Sequence, residues 1–214
     1  RPRQPGRVNE AEGRVVMQAP FDDPLMFSGL EAFSHIWIEF LFHDVMEQGW
    51  RSRVRPPRLG GNRQVGVFAS RSPYRPNHLG LSVVRLLGVE QGEGVSLRVR
   101  GLDLLDGTPV VDIKPYVPYV DSIPDASGGF APHAPSEALH VVFSPQAKQD
   151  LEQVADPIFE QLLCRLLALD PRPAYRRQEN PGRMYGMRLE DFNVTWRVAG
   201  RKLEVLEITS IDVA

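Results

Sequence analysis

With 214 residues, 42% hydrophobic and 24% charged, the chain has the composition of a globular protein long enough for a core of normal size. No apolar run approaches the roughly 20 residues needed to cross a bilayer, and a single cysteine, Cys164, excludes internal disulfides and cysteine-built metal sites. A net charge of −2 argues against nucleic acid as a partner, yet residues 51–89 hold eight arginines (51, 53, 55, 58, 63, 71, 75 and 85) and no Asp or Glu. Such a local basic segment is what phosphate backbones select, and a solvated basic face is the plain alternative. All but three of the 25 basic residues are arginine, which favours planar, bidentate partners such as phosphate and carboxylate. The single cysteine and the absence of a signal peptide fit a reducing, cytoplasmic location, although a chain starting at Arg1 without Met suggests a missing upstream piece.

The chain opens on an extended polar segment, Arg1-Pro2-Arg3-Gln4-Pro5-Gly6-Arg7, followed by a short strand at Val15-Val16-Met17. His35 to His43 is apolar almost throughout and rich in aromatic and branched residues, so it reads as a buried strand. His43 and Asp44 then emerge at its C-terminal rim, or His43 merely caps the strand. Residues 49–64 form a Gly/Pro/Arg-rich loop in which Trp50 either stacks on a base or anchors the loop to the core.

Residues 68–80 organise the rest. Two prolines and a closing glycine hold Arg71, Arg75, Asn77 and His78 between the strand-like runs Val65–Phe68 and Leu79–Val84. Pro and Asn also make ordinary turns. Runs at 79–88, 95–100 and 109–112 alternate as strands around the turns Gln91–Gly94 and Asp106-Gly107-Thr108. Short strands at close spacing with no helix between them predict a sheet curling into a barrel. The segment 112–121 is predicted to be extended and stiffened by Pro115 and Pro118. Its Asp112, Lys114, Tyr116, Tyr119 and Asp121 make either a salt-linked edge strand or a second wall opposite residues 68–80.

A linker at 127–135 divides the chain into an N-terminal domain, residues 1–135, and a C-terminal α+β domain, residues 136–214. In the latter, Ala138–Phe143 reads as a strand, and Ser144-Pro145 and Asp156-Pro157 as helix starts. Leu162, Leu163, Leu166 and Leu167 form a buried stripe, and Cys164 packs beside it. Three strands end the chain, the last two joined by a hairpin at Ala199–Lys202. Rossmann, P-loop and zinc motifs are absent, and the residues by themselves reach only a basic, loop-built site for an anionic ligand, possible nucleic acid included.

The segments PRQPGR (2–7), GLEAFSHIWIEFLFH (29–43), RPPRLGGN (55–62), VGVFASRSPYRPNHLGLSVVRL (65–86) and LDLLDGTPVVDIKPYVPYVDSIPDA (102–126) closely resemble the TrmO family of tRNA methyltransferases. DPRPAYRR (170–177) and DFNVTWRV (191–198) resemble the C-terminal domain of its bacterial members. The resemblance implies S-adenosylmethionine-dependent methylation of N6 of threonylcarbamoyladenosine, the modified base 3′ of the tRNA anticodon. It also implies a β-barrel methyltransferase domain and a homodimer with the cofactor near the subunit interface, without a metal or a membrane.

Family cofactor contacts carry over onto Pro2, Arg3, Gln4, His43, Asp44, Arg71, Leu102, Asp106, Gly107, Thr108 and Pro109. Arg3, Gln4 and Arg71 are expected to hold the cofactor's polar ends, and Asp112, Tyr116 or Asp121 to take the proton or orient the base. Arg51, Arg53, Arg55, Arg58, Arg75, Asn77 and Lys114 are expected on the tRNA side. Where relatives read R-P-N-P-I-G, this chain has His78 in place of proline, which is expected to loosen one turn; the strand that the family places before the first motif is expected to be absent. Two rival readings are a non-catalytic RNA-binding protein and a methyltransferase for another base or a small molecule.

Overall fold

The computed structural model describes residues 11–134, 139–154, 156, 158–172 and 182–211. Two compact units emerge, one of residues 1–56 and 64–127 and the other of residues 57–63 and 128–214.

The first unit is built on β1 (Glu12–Val16), β2 (His35–Leu41), β5 (Leu79–Gln91), β6 (Val95–Arg100) and β7 (Val110–Pro115), in the order β1-β6-β5-β2-β7. Every pairing is antiparallel. Two-residue strands, β3 (Arg53–Val54) and β4 (Val65–Gly66), make a separate small ladder. In β2, alternation puts Ile36, Ile38 and Phe40 on the inner face, each 3% exposed or less. Burial of such side chains contributes on the order of 1.5–3 kcal/mol apiece. Val84 on β5 and Val95, Leu97 and Val99 on β6 complete the inner layer, with Val15 from β1. The expected buried strand at 35–43 is therefore present, ending at Leu41.

Register fixes one residue type closely. Gly80 lies opposite Phe40, and a Cβ built on Gly80 would stand 2.3 Å from Cζ of that ring. Gly80→Ala is expected to cost about 1–3 kcal/mol through overpacking, read as a lower urea midpoint; an unchanged midpoint would mean that the ring steps aside freely.

Several sequence expectations need correction. Val65–Phe68 was expected to continue as a strand, but after Gly66 the chain turns into a 3-10 turn over Val67–Ala69, because Val67 N–H donates to Ser52 O (3.0 Å) and Ser70 N–H to Val67 O (3.1 Å). The expected extended segment 112–121 stops at Pro115, and Pro118 opens a single helical turn, α1 (Pro118–Asp121). A first-turn proline needs no hydrogen-bond partner for its nitrogen, so the same residue that stiffens a strand also starts a helix. The fold is mainly β with short helices. Among the described residues β1 and β7 remain edge strands, with no ladder between them.

The second unit pairs β8 (His140–Phe143), β11 (Lys202–Ser210), β10 (Phe192–Ala199) and β9 (Met184–Leu189) in that order, β8 being parallel to β11. α2 (Pro145–Glu152) starts where the sequence places it: Ser144 Oγ accepts from Ala147 N–H at 3.0 Å, with Pro145 in the first turn. α3 (Phe159–Ala168) buries Phe159, Leu162, Leu163, Leu166 and Leu167. Beside them, burial pushes the Cys164 thiol up, helped by Glu160, which suits a packing residue. After α3, the buried Asp170 and Arg172 form a fork-to-fork pair, Nε to Oδ1 at 2.8 Å and Nη2 to Oδ2 at 3.0 Å.

Candidate active site

A solvent-open cleft in the first unit lies at the C-terminal end of β2. Its lining combines Phe40, Leu41, Phe42, His43, Asp44 and Val45 with Pro73, Leu105 and Thr108. Three backbone hydrogen bonds bring these segments together. Leu41 N–H donates to Pro109 O (3.0 Å), Phe42 N–H to His78 O (2.8 Å), and Thr108 N–H to Leu105 O (3.3 Å). The 105–108 turn is closed again by Thr108 Oγ1 donating to Leu105 O at 2.7 Å, with Gly107 at φ +69° supplying the left-handed corner.

The walls are apolar and the rim is polar. His43 begins the 3-10 stretch His43–Gln48, and its Nε2 lies 3.2 Å from Asp44 Oδ1. Apolar walls with a few convergent polar groups are the usual lining for a small organic cofactor. Phenylalanine and leucine side chains are of the kind that would take an adenine ring, and a carboxylate and a hydroxyl such as those of Asp44 and Thr108 would take ribose hydroxyls. The side-chain types present fit S-adenosylmethionine, while the cleft itself, at about 30 Å³, is far smaller than that molecule and has to open to take it.

Of the cofactor positions expected from the sequence, the cleft gathers His43, Asp44 and Thr108, and Asp106 and Gly107 are exposed on the same turn. Pro109 ties that turn to β2 through its carbonyl. Arg71 is exposed on the 68–80 loop, which reaches the cleft through Pro73. Leu102 sends its side chain elsewhere, against Gly13 and the core cluster. Pro2, Arg3 and Gln4 lie outside the described residues.

The three proton-handling candidates separate. Asp121 Oδ2 accepts from both Trp37 Nε1 (3.1 Å) and Val117 N–H (2.8 Å), so it holds α1 onto β2. Tyr116 packs its ring on Trp37 and His35, at centroid distances of 5.9 and 6.4 Å. Trp37 is four residues before Leu41 on β2, about 13 Å along the strand, so neither Asp121 nor Tyr116 joins the cleft wall. Asp112 is exposed beside Glu39. One of its oxygens accepts from Ile113 N–H (2.8 Å) and the other lies 3.8 Å from Lys114 Nζ. The second wall expected from 112–121 is thus replaced by the 105–108 turn. Asp121→Ala is expected to cost about 1–3 kcal/mol by stranding two donors, and Asp121→Asn to recover most of it. Equal losses in urea titrations of the two variants would assign the effect to charge instead.

His78 fastens the loop rather than loosening it. It is buried, with φ +51°, a value that proline's ring forbids, and its Nδ1 lies 3.1 Å from Pro73 O. Asn77 is exposed beside it. Arg51 and Arg75 brace the neighbouring loops. Arg51 stacks 4.0 Å over Tyr74, and Arg75 Nη1 donates to Ser70 O at 2.7 Å. Arg53, Arg55 and Arg71 are exposed and without hydrogen-bond or ion-pair partners among the described residues. Arg58 lies in the second unit and donates to His133 O. Trp50 is 62% exposed, which removes the core-anchor reading. Sequence reasoning missed Phe42, Val45, Pro73 and Leu105, apolar residues whose role comes only from their position around the cleft.

The class that this sheet and appended α+β unit define is a mainly β protein of two compact units, outside the doubly wound nucleotide-binding folds. Within that class the chain belongs to the TrmO family: the model of the tRNA-methyltransferase O N-terminal domain matches residues 1–122 and that of the TrmO C-terminal domain matches residues 136–211. An Escherichia coli tRNA (adenine(37)-N6)-methyltransferase is 48% identical over 210 residues, 97% of this chain and 89% of that protein. A Pseudomonas aeruginosa protein named provisionally as an S-adenosylmethionine-dependent methyltransferase is 50% identical over 216 residues, 99% and 91% of the two. A crystal structure of TrmO from P. aeruginosa superposes with a TM-score of 0.77 at 42% identity, covering 98% of this chain and 88% of that one.

Proposed function

We propose that the chain is an S-adenosylmethionine-dependent tRNA (adenine(37)-N6)-methyltransferase whose cofactor site is the cleft at the end of β2. The single observation that carries the reading is the convergence of His43, Asp44 and Thr108 on one apolar-walled cleft, in a chain whose family and near relatives are of this kind. The acceptor is N6 of threonylcarbamoyladenosine, and the methyltransferase domain spans 1–135 with the α+β domain at 136–214. No helix among the described residues is long and apolar enough to cross a membrane, and none of them cluster as a metal site. The reading places the work in the cytoplasm without a metal.

When bound, S-adenosylmethionine supplies an electrophilic methyl group for in-line displacement. The chain's part is positioning, which accounts for a large share of the acceleration in such reactions. Phe40, Phe42 and Leu105 exclude water, and Asp44 and Thr108 orient polar groups at the rim. Arg71, together with Arg3 and Gln4, holds the cofactor's polar ends through hydrogen bonds. Proton removal from N6 falls to Asp112, which is paired with Glu39 two residues from the cleft end of β2, whereas Tyr116 and Asp121 pack farther off against Trp37. Arg51, Arg53, Arg55, Arg58, Arg75, Asn77 and Lys114 meet the tRNA.

The same reading includes a homodimer with the cofactor near its interface and a sheet closed into a barrel. Leu79 and Leu81 of β5 and Val111 of β7 are 41%, 51% and 56% exposed beside the cleft end of the sheet, which supports a covered face. Bulges that leave Val111 of β7 and Leu87 of β5 as extra residues bend those two strands, which supports closure.

The test is mass spectrometry of nucleosides from tRNA incubated with the protein and S-adenosylmethionine. A gain of one methyl on threonylcarbamoyladenosine, and none on tRNA lacking that group, is the expected result. Methylation of both would move the substrate to another base, and methylation of neither would remove the enzyme reading.

A further inference from the structure

Two large aromatic side chains near the cleft are left in solvent by an otherwise well-braced pair of loops. Trp50 is 62% exposed and Phe68 75% exposed. Their backbones are held from both sides. Arg51 N–H donates to Tyr74 O (3.1 Å), and Val67 N–H donates to Ser52 O (3.0 Å). Tyr74 is pinned in turn: its hydroxyl donates to Gln48 Oε1 at 3.0 Å, and the Arg51 guanidinium covers its ring at 4.0 Å. The Arg75 guanidinium lies 5.8 Å over the Phe68 ring while donating to Ser70 O. Chain flexibility is therefore a poor account of why neither ring packs inward.

Both loops are also continuous with the cleft. Gln48 ends the 3-10 stretch that starts at His43, and Pro73, on the same loop as Phe68, lines the cleft wall. Around the rings stand Arg53, Arg55 and Arg71, exposed and without hydrogen-bond or ion-pair partners among the described residues. No acid occurs anywhere in residues 51–89. A second copy of the chain is a poor match for this patch, since a self-complementary contact would set arginines against arginines. Exposed aromatic faces among unpaired guanidiniums are what unpaired nucleic-acid bases use, with stacking on the ring and phosphates on the charges.

We propose that Trp50 and Phe68 form a stacking platform for the unpaired bases flanking the methylated adenine. This rests on the tRNA methyltransferase reading above. An enzyme that acts on a base must take it out of its stack, and neighbours left unstacked need a replacement surface. The two rings supply it beside the cleft. Specificity for a loop over a duplex follows, because paired bases keep their faces covered by each other.

The experiment uses the full chain and a synthetic anticodon stem-loop RNA. Trp50→Ala and Phe68→Ala are compared with Trp50→Phe and Phe68→Tyr for RNA affinity by fluorescence anisotropy, tRNA KM, S-adenosylmethionine affinity by calorimetry, and mass by sedimentation. Each alanine variant is expected to weaken RNA binding by about tenfold or more, the scale of one lost base stack, and to raise KM for tRNA with cofactor affinity and mass unchanged. The aromatic replacements should recover most of the binding, and a duplex RNA should bind wild type and variants alike. Unchanged RNA affinity in the alanine variants of an active enzyme overturns the platform. So does a drop in mass with RNA affinity intact, which assigns the rings to a copy-to-copy contact. A wild-type chain that binds neither cofactor nor stem-loop fails the enzyme reading itself, a result separate from either of these.

Discussion

Thr108→Trp is expected to abolish cofactor binding, with affinity for S-adenosylmethionine falling by at least about a hundredfold, or roughly 2.8 kcal/mol. Thr108 lines the cleft from an exposed-rimmed turn, so an indole there fills ligand space without entering the core. The turn loses one hydrogen bond, Oγ1 to Leu105 O at 2.7 Å, worth about 1 kcal/mol, which the fold tolerates. Thr108→Ser keeps that bond and the open space and should bind within a few-fold of wild type. Calorimetry on both variants separates occlusion from loss of the turn. If Thr108→Trp binds the cofactor as tightly as Thr108→Ser, the cleft is not the site.

Arg172→Ala is expected to destabilise the second unit by about 1.5–3 kcal/mol, the scale of lost hydrogen bonds to a charged group. The Arg172 and Asp170 side chains are 8% and 5% exposed and joined by two parallel hydrogen bonds, with a third, longer one from Arg172 N–H to Asp170 Oδ1 at 3.4 Å. Asp170 also sits at φ +53°, a backbone state that the pair helps to hold. Removing arginine takes two parallel charge-assisted hydrogen bonds away from a buried carboxylate. Arg172→Lys keeps the charge but not the planar fork, so it should recover only part of the loss. Urea unfolding of the full chain measures this, and a shift below about 1 kcal/mol would show that the pair is dispensable.

Local signals in the chain were strong guides to elements. His35–Leu41 reads as a buried strand because branched and aromatic residues alternate between two faces, and it is one. Ser144-Pro145 reads as a helix start because the hydroxyl and the missing N–H both suit the first turn, and Ala199–Lys202 reads as a hairpin for its glycine. What was not legible depends on pairing over distance. The partner that engages Asp121 is Trp37, 84 residues earlier, and no spacing rule connects them. Pro118 reads equally as a strand stiffener or a first-turn residue, and only the end of the β2–β7 ladder at Pro115 decides.

The site divides the same way. His43, Asp44 and the 106–108 turn were named from chemistry-bearing residues and the family resemblance, and three of them face one cleft. Its greasy half carries no such mark. Phe42, Val45 and Leu105 look like any core residue until the ladder brings β2, the 68–80 loop and the turn to one edge. His78 shows the limit of reading by substitution. A histidine where relatives have proline suggests slackness, whereas its ring bonds Pro73 O and its backbone takes a conformation that proline cannot.

The most direct test is a crystal structure of the full chain with S-adenosylhomocysteine, the demethylated product of the donor. The adenosyl moiety is predicted between the 43–45 corner and the 105–108 turn, with Pro73 against it. Ligand density bound elsewhere in the chain, with that corner empty, would contradict the account.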